Sequence, residues 1–492
     1  MTTASAQFRF WIDLSLECIR RDHTAGPGDQ RGPFSTARAL GMALAALHDA
    51  NAYASGRDPL LTSPATPGLL DLSGNQITIA SAAACAQVLR LRYPNQASLL
   101  EPSWLCWLAN FNYGPADSPA EVAGRALGTA IHNLGADDAK NAARDKYSPS
   151  GLPYGHTVPP NQLEQGYAGA DWGFSTPLLA TRVADFPMPP GRVPPTAATK
   201  VNPTQHFKDD FAEVLRLGSL NSVDRTKEQE FIGIAWGYDG PPELGTPPRL
   251  YLQAVLSVLD AIENQDPNKL SNADELAVIA GVGIAMADAG IDAWHYKYAP
   301  THMMWRPAVG IRNAVDGNGT PDPTFFPLGR PDTNLRGLAL TPNFPAYPSG
   351  HATFGAAAFQ LLRLFLVEKG MNAFDANGVD DVGINFISDE YNGINKDPRT
   401  LLPRCPTPKP VVLSSLWKAI IDNSVSRVYL GVHWQFDGVT KRNAAGEDEF
   451  GIPESPTELG KTGGVWLGAK IANQIAPKLG VTAATISDSK IL

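Results

Sequence analysis

The chain has 492 residues, of which 43% are hydrophobic, so it can build a sizeable core and is not a disordered protein. Its formal net charge of -9 at pH 7 argues against a general nucleic-acid binder, and we expect no nucleic-acid partner. Any site for an anion must therefore be a local group of basic residues within an acidic protein.

Apolar residues recur at helical spacing along much of the chain. The first such stripe runs from Ala37 to Leu47 behind a candidate cap at Ser35, and Asn272 with Glu275 suggests a capping box further on. The pattern predicts helices over residues 35–53, 121–144, 251–264, 272–298, 351–368, 413–427 and 465–476. Alternating strand patterns are scarce, so the sequence predicts an all-α fold.

Long connections rich in proline and glycine separate these helices, chiefly residues 147–203, 316–348 and 399–410. Loops of this length in a compact protein are usually functional or packed over the surface. We predict an N-terminal helical bundle, residues 1–215, and a C-terminal bundle, residues 216–492, which carries the functional site and packs with the first as one compact unit.

No segment is expected to cross a membrane. Residues 1–22 lack the continuous apolar run of a secretory signal peptide. The most apolar stretch, residues 276–291, is interrupted by Asp288 and is shorter than the roughly 20 apolar residues that a spanning helix needs. We therefore expect a soluble protein with a cytoplasmic location.

Two basic residues follow the most apolar predicted helix. Lys297 lies near its end, and Pro300 should end or kink the helix. A buried lysine needs an anionic partner, because an unpaired buried charge is strongly destabilising. Arg306, which precedes Pro307, offers a planar set of donors suited to an oxyanion. The alternative is two solvated cations beside a helix end.

The sequence Tyr347-Pro348-Ser349-Gly350-His351 leads into the predicted helix 351–368. Ser349 suits an N-cap, and Gly350 lets the backbone approach a ligand closely. His351 would lie in the first turn, where unpaired N–H groups and the helix dipole favour an anion and lower the pKa of the imidazole. The alternative is an ordinary serine cap with an incidental histidine.

Residues 426–437 contain Arg427 and His433, whose spacing would not place them on one face of an unbroken helix. Gly431 offers a break between them. Asp437, four positions after His433, can bond the imidazole and fix its tautomer. The alternative is a surface arginine and a core histidine.

Together these segments supply three cations, two neutral donors and two imidazoles, without a cluster of carboxylates that would favour a two-metal site. The set suits a tetrahedral oxyanion with several charges. One imidazole could attack or coordinate its central atom, and the other could shuttle protons at the opposite apex.

The order of the motifs resembles that of the vanadium-dependent haloperoxidases and of their relatives, the type-2 phosphatidic acid phosphatases and bacterial acid phosphatases. The shared pattern is Lys, Arg-Pro, Pro-Ser-Gly-His, then Ser-Arg, five residues, His, three residues and Asp. The similarity extends over about residues 288–437. It is closest to the fungal chloroperoxidases in the segments Phe344 to Gly355 and Leu430 to Trp434.

The resemblance implies two four-helix bundles and a vanadate cofactor, for which phosphate can compete. His433 would coordinate vanadium, and His351 would be the acid–base group, while Lys297 would hydrogen-bond the reacting peroxide oxygen. Trp294 and Phe344 match positions that line the halide site. The residues that would hold the vanadate oxygens are Lys297, Arg306, Ser349, Gly350, His351 and Arg427.

The implied activity is oxidation of halide, bromide and by resemblance also chloride, with hydrogen peroxide. The product would be a hypohalous-acid equivalent that halogenates a small organic acceptor. A homodimer is also implied. The alternatives are a soluble acid phosphatase of the same superfamily, acting through a phosphohistidine at His433, and a non-enzymatic helical scaffold.

One spacing departs from the family pattern. Lys297 and Arg306 are nine positions apart, where the fungal pattern has seven, and Pro300 lies within the extra length. Either a local bulge absorbs two residues, or Lys297 is not an oxyanion ligand.

Overall fold

The computed structural model describes residues 3–24, 28–61, 68–114, 118–143, 146–191, 204–314 and 319–491. The helices that come before residue 240 are α1 (Thr3–Asp22), α2 (Pro33–Ala54), α3 (Asn75–Arg92), α4 (Ala97–Asn110), α5 (Pro119–Asn133), α6 (Asp138–Asn141), α7 (Gln205–Leu217) and α8 (Lys227–Ala235). Those that follow are α9 (Pro247–Gln265), α10 (Asn272–Tyr298), α11 (Pro307–Gly310), α12 (Gly350–Glu368), α13 (Leu416–Tyr429), α14 (Gln435–Gly438), α15 (Gly464–Ile475) and α16 (Ala483–Asp488). The predicted all-α class is confirmed.

Strand structure in these ranges is confined to two short antiparallel pairs and isolated bridges. β1 (Ile384–Ile387) pairs with β2 (Pro410–Leu413), and β3 (Lys441–Arg442) pairs with β4 (Asp448–Glu449). Residue 413 thus belongs to a strand, and the predicted start of a helix there is wrong. The helix α13 begins at Leu416 because the side chain of Ser415 accepts a hydrogen bond from the Lys418 backbone and caps it.

Two predicted helix caps are wrong by one to three residues. The helix α2 begins at Pro33, with Gly32 in the left-handed region at φ 95°, and the Ser35 hydroxyl donates to the Arg31 carbonyl from within the helix. The helix α10 is capped by Ser271, whose side chain accepts from the Asp274 backbone, rather than by Asn272.

The predicted helix over residues 121–144 is divided. The helix α5 ends at Asn133. The carbonyl of Leu134, directly after it, accepts a hydrogen bond from the Arg38 side chain on α2. The short helix α6 follows after a turn. Residue 144 lies outside the described residues, as do residues 192–203 and 316–318 of the predicted long connections.

The helix α10 is the centre of the molecule, and its residues from Val278 to Trp294 are buried. It packs along α2 and α12. At the α2 contact, a Cβ atom on Gly41 would lie 2.6 Å from the Gly283 carbonyl oxygen, so small residues let the two helices approach closely. This core orients the C-terminal end of α10 and the start of α12, which carry the predicted site residues.

The predicted boundary at residues 215 and 216 lies within α7, and α2 and α10 come from opposite sides of that boundary. The division into two bundles that pack as one unit stays a prediction. By length and composition, α10 and α12 are apolar enough to cross a membrane, but their most apolar windows are each 94% buried inside the protein, as in core helices.

Candidate active site

The three predicted motif segments lie close together near the C-terminal end of α10. The Arg306 guanidinium donates from Nε to the Phe344 carbonyl at 2.9 Å and from Nη1 to the Val432 carbonyl at 2.9 Å. Its Nη1 also lies 2.8 Å from Nε2 of His433. Lys297, Arg306 and Arg427 are fully buried, and His433 is nearly so. The alternatives of solvated cations and of a surface arginine are therefore wrong.

Lys297 binds the backbone that leads into α12. Its Nζ donates to the carbonyl groups of Pro345 at 2.8 Å and Ala346 at 3.0 Å, and to that of Pro348. Burial, and then the neighbouring Arg306, lower the pKa of Lys297 well below its ordinary value. To bind an oxyanion directly, this side chain would exchange one of its three carbonyl partners.

The extra length between Lys297 and Arg306 forms a local turn. After α10 ends at Tyr298, the backbone N–H of Met303 donates to the Ala299 carbonyl at 2.8 Å. Both cations still reach the same carbonyl, that of Pro345, with Arg306 Nη2 at 3.5 Å. The turn thus absorbs the extra residues and keeps Lys297 beside Arg306, and the role of Lys297 as an oxyanion ligand stays a prediction.

Ser349 joins the start of α12 to the segment after α13. Its side chain caps α12 by accepting from the Ala352 backbone at 3.4 Å, as predicted. Its own N–H donates to the Asp437 carbonyl at 2.7 Å. The ring of Trp294 lies 3.4 Å from the position that a Cβ of Gly350 would take, so the turn that precedes His351 packs directly on this indole.

His433 follows a sharp break in the chain, as predicted from Gly431. The helix α13 ends at Tyr429, and Gly431 adopts a left-handed φ of 69°. A Cβ atom on Gly431 would overlap the Gly218 carbonyl, and one on Gly218 would overlap the Gly431 backbone. The close approach of these two glycines sets the path of the chain into His433.

The imidazole of His433 is fixed by a carboxylate, as the spacing predicted. Its Nδ1 lies 2.8 Å from Oδ2 of Asp437, which also accepts from the Trp434 backbone at 3.0 Å. Burial, and then Arg306 and Lys297, lower the pKa of His433 well below its ordinary value. A neutral ring that donates from Nδ1 presents the Nε2 lone pair to the cations.

Burial also raises the pKa of Asp437 to about 7, against the opposing effect of Lys297 and Arg306. His433 and Asp437 are thus a buried, hydrogen-bonded pair. The arrangement places a neutral imidazole, not an imidazolium, beside three cations.

His351 faces a carboxylate that the sequence analysis missed. Oδ2 of Asp239 accepts from Arg427 Nη2 at 2.6 Å, and its Oδ1 lies 3.9 Å from Nε2 of His351. Burial raises the pKa of Asp239, but Arg427, His351 and Arg330 outweigh that effect and lower it overall. Burial, then Arg427, lower the pKa of His351 well below its ordinary value, and Asp239 partly opposes them.

Several buried polar atoms at this point have no hydrogen-bond partner among the described residues. They are Nε and Nη1 of Arg427, Nε2 of His351 and Oδ1 of Asp437. An unsatisfied buried donor costs about 1–3 kcal/mol, so two on one guanidinium indicate a place for an acceptor. These donors, with the start of α12 and the Nε2 of His433, fit an oxyanion such as vanadate or phosphate.

Two aromatic rings close the site on the α10 side. The ring centroids of Trp294 and Phe344 lie 4.7 Å apart. Nζ of Lys297 lies 5.1 Å from the centre of the Phe344 ring, and the Arg306 guanidinium lies 5.0 Å from it. Phe344 and Asp239 also form part of the wall of a cavity of about 380 Å³, a volume in the range of small-molecule sites.

Comparison with known proteins agrees with the motifs. A family model, the VCPO second helical-bundle domain, matches residues 277–447. A curated vanadium chloroperoxidase from Curvularia inaequalis is 29% identical over 555 aligned residues, which cover 95% of this chain and 88% of that protein.

Two solved structures have a similar fold. A bacterial vanadium-dependent iodoperoxidase aligns with a TM-score of 0.62 at 17% identity, covering 95% of each chain. A holo-type bacterial vanadium-dependent chloroperoxidase aligns with a TM-score of 0.59 at 14% identity, covering 94% of this chain and 95% of that one. The predicted helical fold is therefore confirmed, and the chain is similar to vanadium haloperoxidases over most of its length. The roles of individual site residues remain predictions.

Proposed function

We propose that this chain is a member of the vanadium-dependent haloperoxidase family that holds vanadate at His433 and oxidises halide with hydrogen peroxide. The observation that carries the proposal is the position of the buried imidazole of His433. The ring is held by Asp437 at 2.8 Å, and its Nε2 faces Arg306 at 2.8 Å within a group of buried cations. A lone pair surrounded by cations suits coordination of an anionic metal centre.

Each residue of the site has a task in this proposal. Arg306, Arg427 and the N-terminal end of α12 at Ser349 and Gly350 hold the oxygens of the bound group, and Lys297 lies beside them. Vanadate, when bound, supplies a Lewis-acidic centre that activates peroxide toward halide without changing the oxidation state of the metal.

The second imidazole handles protons. Nε2 of His351 is buried and has no hydrogen-bond partner in the described part of the chain, and its lowered pKa keeps it neutral near pH 7. It can accept the proton that peroxide releases, and Asp239 at 3.9 Å favours the protonated ring. Trp294 and Phe344 would keep water from the halide position.

The product is a hypohalous-acid equivalent that halogenates a small organic acceptor. The proposed halide substrates are bromide and, because of Phe344, chloride. Phosphate is proposed to compete with vanadate for the same position. The chain is also proposed to assemble as a homodimer. Light scattering in solution tests the assembly state, and turnover of chloride against bromide tests the halide range.

The decisive experiment compares two reactions of the purified chain. Bromination of a 1,3-diketone is measured after addition of vanadate, peroxide and bromide, beside hydrolysis of a phosphate monoester without them. We expect bromination that depends on vanadate. Hydrolysis without any bromination would instead assign the site to a phosphatase, for which the same oxyanion donors would serve.

The variant His433→Ala should lose vanadate binding and at least about a thousandfold of the bromination rate, as expected for a central group of a catalytic constellation. The variant His132→Ala, on α5 and distant in sequence from all site motifs, serves as the matched control and should retain both. Tight vanadate binding by His433→Ala would contradict the proposal.

A further inference from the structure

A second group of buried arginines lies among the N-terminal helices. Nε of Arg38 on α2 lies 3.1 Å from Oδ2 of Asp138, and Nη2 of Arg92 on α3 lies 2.8 Å from the same oxygen. All three residues are buried. Two cations share one carboxylate, so the group carries one positive charge in excess.

Three of the unpaired polar atoms around this group are donors, and the Tyr93 hydroxyl and Nδ1 of His132 are unpaired as well. Nη1 of Arg38, Nε of Arg92 and Nε1 of Trp172 are buried and make no hydrogen bond to any described residue. The exposed fractions of Arg38 and Trp172 are 0%, and that of Arg92 is 6%. Buried donors without acceptors are destabilising, so an anion bound beside these atoms would supply the acceptor that the described residues do not.

Arg92 and Trp172 line a cavity of about 360 Å³; Arg38 does not line it but shares the Asp138 carboxylate with Arg92. Asp29 also lines it, but its carboxylate already accepts from the backbone and side chain of Asn95 at 3.1 and 2.7 Å. The polar side chains that complete the wall belong to Gln30, Arg31, Ser35, Arg92 and Asp138, with Trp172 beside them.

We propose that this cavity is a second anion site, which takes a small inorganic anion, a halide or an oxyanion. A cation is disfavoured by the excess positive charge, and a neutral ligand would leave that charge unpaired. The proposal does not rest on the function proposed for the site at His433.

The second anion site lies next to the predicted halide pocket. Phe34 lines the cavity, and its ring lies 4.9 Å from that of Trp172 and 4.9 Å from that of Trp294. One aromatic ring therefore separates the cavity from the indole of the predicted halide pocket. An anion bound here would lie behind the active site and not within it.

The test uses bromide as the probe and the full chain. Exchange of bromide with a protein site broadens its bromine NMR line, and we expect excess broadening that Arg92→Met reduces about tenfold, the effect of losing one charged hydrogen-bond partner. The matched control is Arg90→Met on the same helix, because Arg90 pairs with the exposed Glu101 instead. This control should broaden the line as the unmodified chain does.

A milder variant guards against misfolding of Arg92→Met. Trp172→Phe keeps one aromatic ring beside Phe34 but removes the indole N–H together with the second ring, and it should weaken bromide binding several-fold. Unchanged broadening in both Arg92→Met and Trp172→Phe would overturn the proposal. Loss of the broadening in Arg427→Met, together with unchanged broadening in Arg92→Met, would also overturn the proposal, because the bromide would then lie at the His433 site. Phosphate is then titrated into the bromide sample to distinguish the two anion classes. If the site prefers an oxyanion, phosphate displaces bromide and the bromine NMR line becomes narrower.

Discussion

Two buried arginines on neighbouring helices have very different surroundings. Arg363 on α12 donates from Nε to Asp380 at 2.9 Å, from Nη1 to Gln360 at 3.0 Å and from Nη2 to the Gly378 carbonyl. Arg427 on α13 donates from Nη2 to Asp239, while its Nε and Nη1 find no acceptor in the described ranges. The first guanidinium completes its bonds within the protein, and the second keeps donors for a ligand.

The carboxylates show the same contrast. Asp380 also accepts from the backbone of Leu416 and Trp417, so it anchors the start of α13. Asp239 instead stands between Arg427 and His351 on the wall of a cavity. Burial of an ion pair therefore does not by itself indicate a functional site; unsatisfied donors beside an imidazole do.

The largest expected effect concerns folding. Arg363→Met leaves the buried Asp380 without its cation and should lower the free energy of unfolding by about 3–5 kcal/mol, measured by urea denaturation. The specific activity of the folded fraction should stay unchanged. The control is Arg399→Met, which breaks half-exposed pairs with Glu230 and with Asp397, and Asp397 keeps its second partner Arg404. This change should cost less than about 1 kcal/mol. A loss of specific activity in Arg363→Met would remove the distinction between the two arginines.

The next effect concerns activity. Arg427→Lys keeps the positive charge near Asp239 but removes the forked donors, so bromination should fall about a hundredfold, as when one preorganised donor is removed. The free energy of unfolding should change little. The same conservative change at Arg363 supplies the control for activity. Full activity in Arg427→Lys would show that the unsatisfied donors have no role.

A smaller effect concerns pH. Asp239 raises the pKa of His351, so Asp239→Asn should lower it further. In the proposed reaction His351 acts in its neutral form, so activity is lost as the pH falls through its pKa. The acid limb of the pH–rate profile should therefore move to lower pH. The rate on the plateau should fall by about tenfold. An acid limb that stays in place or moves to higher pH would contradict the assignment of His351.

The smallest effect is expected at the helix cap. Ser349→Ala removes the side-chain cap of α12 and should cost about 1 kcal/mol of unfolding free energy. Ser271→Ala, which uncaps α10 at the other end of the molecular core, should cost a similar amount. Only Ser349→Ala should also weaken vanadate binding, by a few-fold. Equal vanadate affinity in both variants would limit Ser349 to its capping role.

The fold could be predicted where helices bury large apolar residues and end at strong signals. The bounds of α10 agree with the prediction, and α12 begins one residue earlier than expected. The helices α1, α3, α4, α7 and α8 were not predicted. The buried face of α3 consists mainly of alanines, and α4 contains Pro102, which reads as a helix breaker.

The candidate site could be predicted where a short motif carries the chemistry, as around Ser349 and His433. Asp239 could not, because it is a single carboxylate far along the chain from Arg427. Its one local signal is its place in the turn between Gly237 and Gly240. The donors on Arg427 could be recognised as unsatisfied only after distant segments had been brought together.

The contact between Gly218 and Gly431 couples two parts of the chain that are remote in sequence. A single substitution at either position would push the opposing backbone away, and the ring at position 433 with it. Neither position therefore accepts a side chain while the opposing backbone stays in place. The sequence at the C-terminal end of α7 is therefore constrained by the geometry around His433.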